Sequence, residues 1–150
     1  MRKLIQSCWL IIAMSSAALA TELRTLELNA DFQTARDSVR EAIEGAGFVV
    51  TAVIPFNQML VRTAGDLGKG KSPFENAEII QFCSARLAWQ LVEENTAQMA
   101  LCPLSLTVYS HSGMPGSVIS WRSPGRDTPA KTRGDDLLRE LVGKASLLAQ

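Results

Sequence analysis

The sequence predicts an α+β fold: one mixed β-sheet with helices packed mainly on one face, an N-terminal signal peptide and a C-terminal amphipathic helix. Three observations point there. Short strand-like runs alternate with segments of helical period, two of those runs flank a Gly-Pro turn cluster, and the interleaving ends in that hairpin rather than in further strand–helix units.

Leu23 to Leu28 alternates, with Leu26 and Leu28 inward, and reads as a first strand. Asn29 or Asp31 then caps a helix whose apolar stripe is Phe32, Ala35, Val39, Ala42, Ile43 and Ala46. Gly45 and Gly47 supply the left-handed residue that ends it. Phe48 to Ile54 is rich in β-branched residues, stops at Pro55, and is the clearest strand of the chain. Phe56 to Val61 fits a short helix or a strand equally well. Ala64 to Asn76 is punctuated by Gly65, Gly68, Gly70 and Pro73 and reads as a loop.

Ala77 to Cys83 is a strand, and Ser84 caps the helix after it, which carries Leu87, Ala88, Leu91 and Val92. Pro103 opens a strand through Leu104, Leu106, Val108 and Tyr109. Ser112-Gly113-Met114-Pro115-Gly116 turns it into Ser117 to Trp121, a hairpin. Ser123 to Gly134 is a polar loop. Asp135 then caps a last helix with Leu137, Leu138, Leu141, Val142, Ala145, Leu148 and Ala149 on one face.

The first twenty residues decide the expected compartment. Met1-Arg2-Lys3 is a positive start, Leu4 to Met14 is mostly apolar, and Ala18-Leu19-Ala20 ends on small residues. The run is shorter than the ~20 residues a bilayer span needs. A Sec-type signal cleaved after Ala20 is expected, giving a periplasmic or secreted chain that starts at Thr21 and forms one domain over 21–150. Losing Arg2 and Lys3 leaves thirteen basic residues against 15 acidic ones, a mature net charge of about −2. That balance excludes a basic footprint for nucleic acid or an anionic membrane surface.

Gly65-Asp66-Leu67-Gly68-Lys69-Gly70-Lys71-Ser72 matches the phosphate-binding loop of nucleotide hydrolases letter for letter. That motif works only between a buried strand and a helix whose first amides face the phosphates. Pro73 follows at once and no apolar helix comes after, so Lys69 and Lys71 are read as loop charges rather than phosphate ligands. No Gly-x-Ser-x-Gly elbow is present, and the Glu93-Glu94 and Asp135-Asp136 pairs sit at expected helix ends, not as an acid and base would. Glu93-Glu94 reads as a solvated face, and Asp135-Asp136 suits a helix N-terminus. Trp89 and Trp121 read as core or edge packing. No catalytic residue, cofactor or metal site is assigned, and the chain leans away from being an enzyme.

Cys83 and Cys102 stay with the mature chain after Cys8 leaves with the leader. Three readings remain open: a structural disulfide, two inert thiols, or a redox or metal pair. If their strands are parallel, the two residues fall at opposite sheet edges, roughly 15–20 Å apart at the standard rise, beyond the ~7 Å Cα span of a bridge. His111, the only histidine, joins them in a three-ligand site only if the fold gathers all three.

The order of these landmarks resembles the family catalogued as domain of unknown function 302, from about Phe32 to Trp121. The resemblance rests on Phe32-x-x-Ala35, on Gly47-Phe48 leading into a strand, on Phe82-Cys83, on the Ala88 helix, and on Pro103 to Val108-Tyr109. Two departures stand out. Ser84-Ala85 stands where the family often has Asn-Pro, and Leu104 where it often has a cysteine, with Cys102 on the other side of Pro103. The resemblance implies a small α+β domain, commonly of the bacterial envelope, that self-associates as a homodimer.

The leading expectation is a non-catalytic binding or accessory protein, taking a small ligand or an envelope partner between sheet and loops. Its expected rim is the loop Gly65 to Asn76, with Lys69 and Lys71, together with Cys83, Ser84 and Arg86. The alternative is a thiol-dependent redox or metal-handling protein using Cys83 and Cys102. A third is a structural dimer through a sheet edge or the last helix.

Overall fold

The structure, a computed structural model, describes residues 22–150; the signal peptide expected over residues 1–20 lies outside the described residues. The strands are β1 (Leu23–Leu28), β2 (Val49–Ile54), β3 (Phe74–Cys83), β4 (Leu104–His111) and β5 (Ser117–Arg122). The helices are α1 (Phe32–Gly45), α2 (Phe56–Thr63), α3 (Ala85–Glu94) and α4 (Pro129–Leu148), with a 3₁₀ segment at Thr96–Leu101. The strands form one sheet in the order β1-β5-β4-β3-β2.

Every neighbouring pair in that sheet is antiparallel, so the expected mixed sheet is corrected to an antiparallel one. The parallel arrangement that the sequence leaves open for β3 and β4 is excluded, because Phe82 pairs with Leu104 and Ala77 with Tyr109. The connection through α3 and the 3₁₀ segment leaves and re-enters at the same end of the sheet. Helical connections do not dictate direction when the chain after the helix doubles back.

The alternation of β4 shows how the sheet is used. Leu104, Leu106, Val108 and Ser110 are buried, while Ser105, Thr107, Tyr109 and His111 are half-buried. The buried set joins Ile80, Phe82, Ile119, Trp121 and Leu28 from the other strands. Against it pack Phe32, Ala35, Val39, Ala42 and Ile43 of α1, Leu87 and Leu91 of α3, and Leu138, Leu141, Val142 and Ala145 of α4. Among the described residues the second face carries only α2, whose Phe56 ring meets Phe74 at 6.4 Å. This helix buries none of its residues. Such a sheet, apolar on one side and half-wet on the other, is the ordinary outcome of antiparallel pairing.

Local signals set several boundaries. Asp31, not Asn29, caps α1 by accepting from the Gln33 and Thr34 amides at 2.9 and 3.1 Å. Gly47 takes a φ of +84° just past its end. Ser84 caps α3, accepting from the Leu87 amide at 3.3 Å. The loop expected over Ala64–Asn76 is shorter, because β3 begins at Phe74. The strand expected from Phe48 sits at the sheet edge, and Val49 is 72% exposed.

The last helix departs most from expectation. It starts at Pro129 with Thr128 as its cap, and the Glu94 carboxylate accepts from the Ala130 amide at 2.7 Å. Glu94 is exposed, as expected for a solvated face, and its carboxylate is also tied to the start of α4. Hydrogen bonding to Thr128 and the Ala130 amide holds its carboxyl below the ordinary value despite some desolvation. Gly134 lies inside α4, where a Cβ would sit 3.2 Å from Pro124 and 3.4 Å from Leu87. Its missing side chain lets α3 and α4 close.

Asp135 is not a cap either. It is fully buried, and its Oδ2 accepts from Arg126 at 2.7 Å, Arg139 at 3.0 Å and Arg24 at 3.4 Å. Burial by itself would raise the Asp135 carboxyl. Ser123, Arg126 and Arg24 outweigh it and hold the group below its ordinary 3.8. The carboxylate thus joins β1, the loop before α4 and α4 itself. The two tryptophans also part company. Trp121 is 8% exposed in the core, whereas Trp89 is 67% exposed, which corrects its expected packing role.

Asp135→Asn should lower the unfolding free energy by about 3 kcal/mol in urea titration at pH 7, because three guanidinium groups lose one buried partner. Arg126→Ala, removing a half-exposed partner, should cost under about 1 kcal/mol. A carboxyl depressed in the folded state stabilises above its unfolded value, and the gain fades as pH falls through the folded one. The gap between wild type and Asp135→Asn should accordingly hold above pH 3.8 and narrow below it; a gap that widens on acidification would contradict the assignment. Separately, Trp121→Ala should cost about 3–5 kcal/mol, and Trp89→Ala under about 0.5 kcal/mol.

Candidate functional site

A cleft of about 770 Å³ lies at the end of the sheet where β1 and β4 finish and β5 begins. The hairpin tip after His111 forms one wall, with Met114, Pro115 and Gly116. Gly116 has a φ of +83°, and a Cβ there would lie 2.5 Å from the Leu28 carbonyl oxygen. Only glycine lets the tip lie against the end of β1.

Strand register supplies the floor. Glu27 pairs with Val118, and Val118 with Tyr109, so three strands set these residues side by side on the second face. His111 follows Tyr109 on that face and approaches the Pro73 carbonyl through Nδ1 at 3.2 Å. Its ring stacks on Phe74 at 5.7 Å and meets Tyr109 edge-on at 5.3 Å. Phe74 in turn meets Tyr109 at 5.3 Å. Aromatic pairs at these separations hold one another in place.

Two polar groups in this lining lack protein partners. Ser110 and Ser117 are 6% and 3% exposed, and neither hydroxyl has a hydrogen-bond partner among the described residues. Both alternate with Tyr109 and Val118 along their strands, so they sit on the core side of the sheet rather than on the cleft floor.

A second cavity of about 470 Å³ is lined by Ser84 and Arg86 of the expected rim, with Phe48, Arg133, Asp136 and Glu140. Both signs of charge line it. Lys69 and Lys71 are exposed on the loop before β3 and line neither cavity. After Ser72 the chain enters β3 rather than a helix, so the phosphate-loop match lacks the helix N-terminus its chemistry needs. Pro73 alone brings that loop to the larger cleft. Tyr109, Ser110, Ser117 and Glu27 were not singled out from the sequence, and His111 was weighed only as a metal ligand beside the two cysteines. The turn cluster beside His111 was the available signal for the hairpin wall, but nothing local announces Glu27, more than eighty positions away.

The antiparallel β3–β4 pair changes the thiol geometry. Cys83 ends β3 and Cys102 precedes β4, so they lie at the same end of the sheet, not at opposite edges. Both are free; Cys83 is exposed and Cys102 half-buried against the core. Burial first, and the adjoining Cys83 thiol second, push the Cys102 thiol up from its ordinary value. His111 is at the far end of β4, roughly 30 Å from Cys102 at the strand rise. The three-ligand site of Cys83, Cys102 and His111 is therefore ruled out by geometry.

Comparison with known proteins agrees with the fold. The structure is similar to the crystal structure of an uncharacterized conserved protein DUF302 from Bacillus stearothermophilus, with a TM-score of 0.63 at 16% identity, covering 85% of this chain and 98% of that one. At that identity the likeness concerns the fold. No curated protein matches the chain. The family described as Domain of unknown function DUF302 matches residues 24–130, and the chain belongs to it.

Proposed function

We infer that this is a non-catalytic binding protein of the cell envelope, holding a small ligand in the cleft between Glu27, Tyr109, His111 and the hairpin tip. The observation that carries this inference is the grouping of Glu27, Tyr109 and His111 on one face of the cleft, brought together by register across neighbouring strands. The edge-on Tyr109 and His111 rings favour a ligand with a flat ring, and Glu27 favours one that donates hydrogen bonds. Volumes of this order suit small organic molecules.

The mixed-charge cavity at Ser84 and Arg86 is the weaker candidate, because its charges can satisfy one another. The positive start and apolar run of the leader support the envelope setting.

Chemical-shift mapping with benzylamine, phenol and benzoate tests the proposal. The ring donors, benzylamine and phenol, should perturb Glu27, Tyr109, His111 and Val118, and benzoate should not. Glu27→Gln should weaken benzylamine binding about tenfold, the loss of one charge-assisted hydrogen bond, without lowering thermal stability. Perturbations confined to the Ser84–Arg86 cavity, or absent at millimolar probe, would overturn it.

A further inference from the structure

The exposed thiol at the end of β3 and the half-buried thiol before β4 meet where the chain leaves and re-enters the sheet. Phe82 pairs with Leu104, so continuing the register by one residue sets Cys83 opposite Pro103. Cys83 and Cys102 are then one strand spacing and one residue apart, roughly 6 Å between Cα atoms. A disulfide tolerates up to about 7 Å. Cys102 is held in place by its amide, which donates to the Met99 carbonyl at 3.1 Å, and by packing on the core. Cys83 faces solvent.

We propose that Cys83 and Cys102 form a redox pair, in which exposed Cys83 exchanges with an external disulfide and Cys102 resolves the adduct into an intramolecular bridge. In the first step the Cys83 thiolate attacks one sulfur of a small-molecule or protein disulfide. The external S–S bond breaks, a mixed disulfide forms at Cys83, and one thiolate leaves. In the second step the Cys102 thiolate attacks Cys83 Sγ, and the second external thiolate leaves. The external disulfide gains two electrons, the two cysteines lose them, and their two protons pass to the departing thiolates.

The asymmetry of the pair sets the order. Burial disfavours the charged form of Cys102, so it is the slower attacker on an outside disulfide. Once Cys83 is capped, the repulsion from its thiolate disappears and Cys102 ionises more readily against a sulfur already beside it. The bridge would close the excursion through α3 and the 3₁₀ segment at its base. This inference is independent of ligand binding in the cleft, whose residues lie at the other end of β4.

The test uses the full chain carrying Cys8→Ser, incubated folded with oxidised glutathione and analysed by peptide mass mapping. The expected product is a monomer with a Cys83–Cys102 cross-linked peptide and no free thiols. Its melting temperature should exceed that of the reduced protein by several degrees, from the roughly twenty-residue loop it closes. Adding Cys102→Ala should trap one glutathione on Cys83. Should that variant fail to fold, the cross-link map of the Cys8→Ser chain decides alone. Glutathione on both cysteines without a cross-link, a bridge between two chains, or unreactive thiols in the folded protein would overturn the proposal.

Discussion

The antiparallel pairing of β3 with β4 is the constraint on which the rest of this structure depends. These are the two longest strands, ten and eight residues, at the centre of the sheet order. Their direction obliges the α3 connection to turn back on itself, which places α3 over the same face as α1 and α4. It sets Cys83 and Cys102 at one end of the pair and the Phe74, Tyr109 and His111 rings at the other. Reversing either strand would separate the thiols and break up the aromatic cluster together.

The sheet is loaded unevenly. One face receives the apolar stripes of three helices and the interdigitated core of β1, β3, β4 and β5. The other carries hydroxyls, Tyr109 and His111, with α2 alone beside it. Buried apolar area drives folding, so the first face supplies the stability and leaves the second free to hold polar groups. Asp135 shows how a buried charge is accommodated on the loaded side: three guanidinium groups from separate parts of the chain converge on one carboxylate oxygen. A buried ion group of this kind is better evidence of a specified arrangement than of net stability.

Much of the local structure was legible in the residues. Helix α1 was readable because Phe32, Ala35, Val39, Ala42 and Ile43 recur at helical spacing, and each is buried. The hairpin was readable because Ser112 to Gly116 can only turn. Helix α4 was misjudged at its start because Ser123 to Gly134 reads as a polar loop, and Asp135 as a helix cap, when their partners are not in view. The site was the least legible part. The cleft needs Glu27 beside Val118 and Tyr109, an adjacency created by register between strands far apart in the chain.

The residues alone determine which segments are helical and which extended, where helices are capped, and which face of each element is apolar. These follow from neighbours within a few positions, through periodicity and backbone preference. They also carry the family resemblance, which is a matter of landmark order. Only the tertiary structure decides strand direction, the partners of Asp135, the approach of Cys83 to Cys102 and the walls of the cleft. Each of these depends on which distant segments pack together, and that choice is made by the burial of the whole apolar set at once.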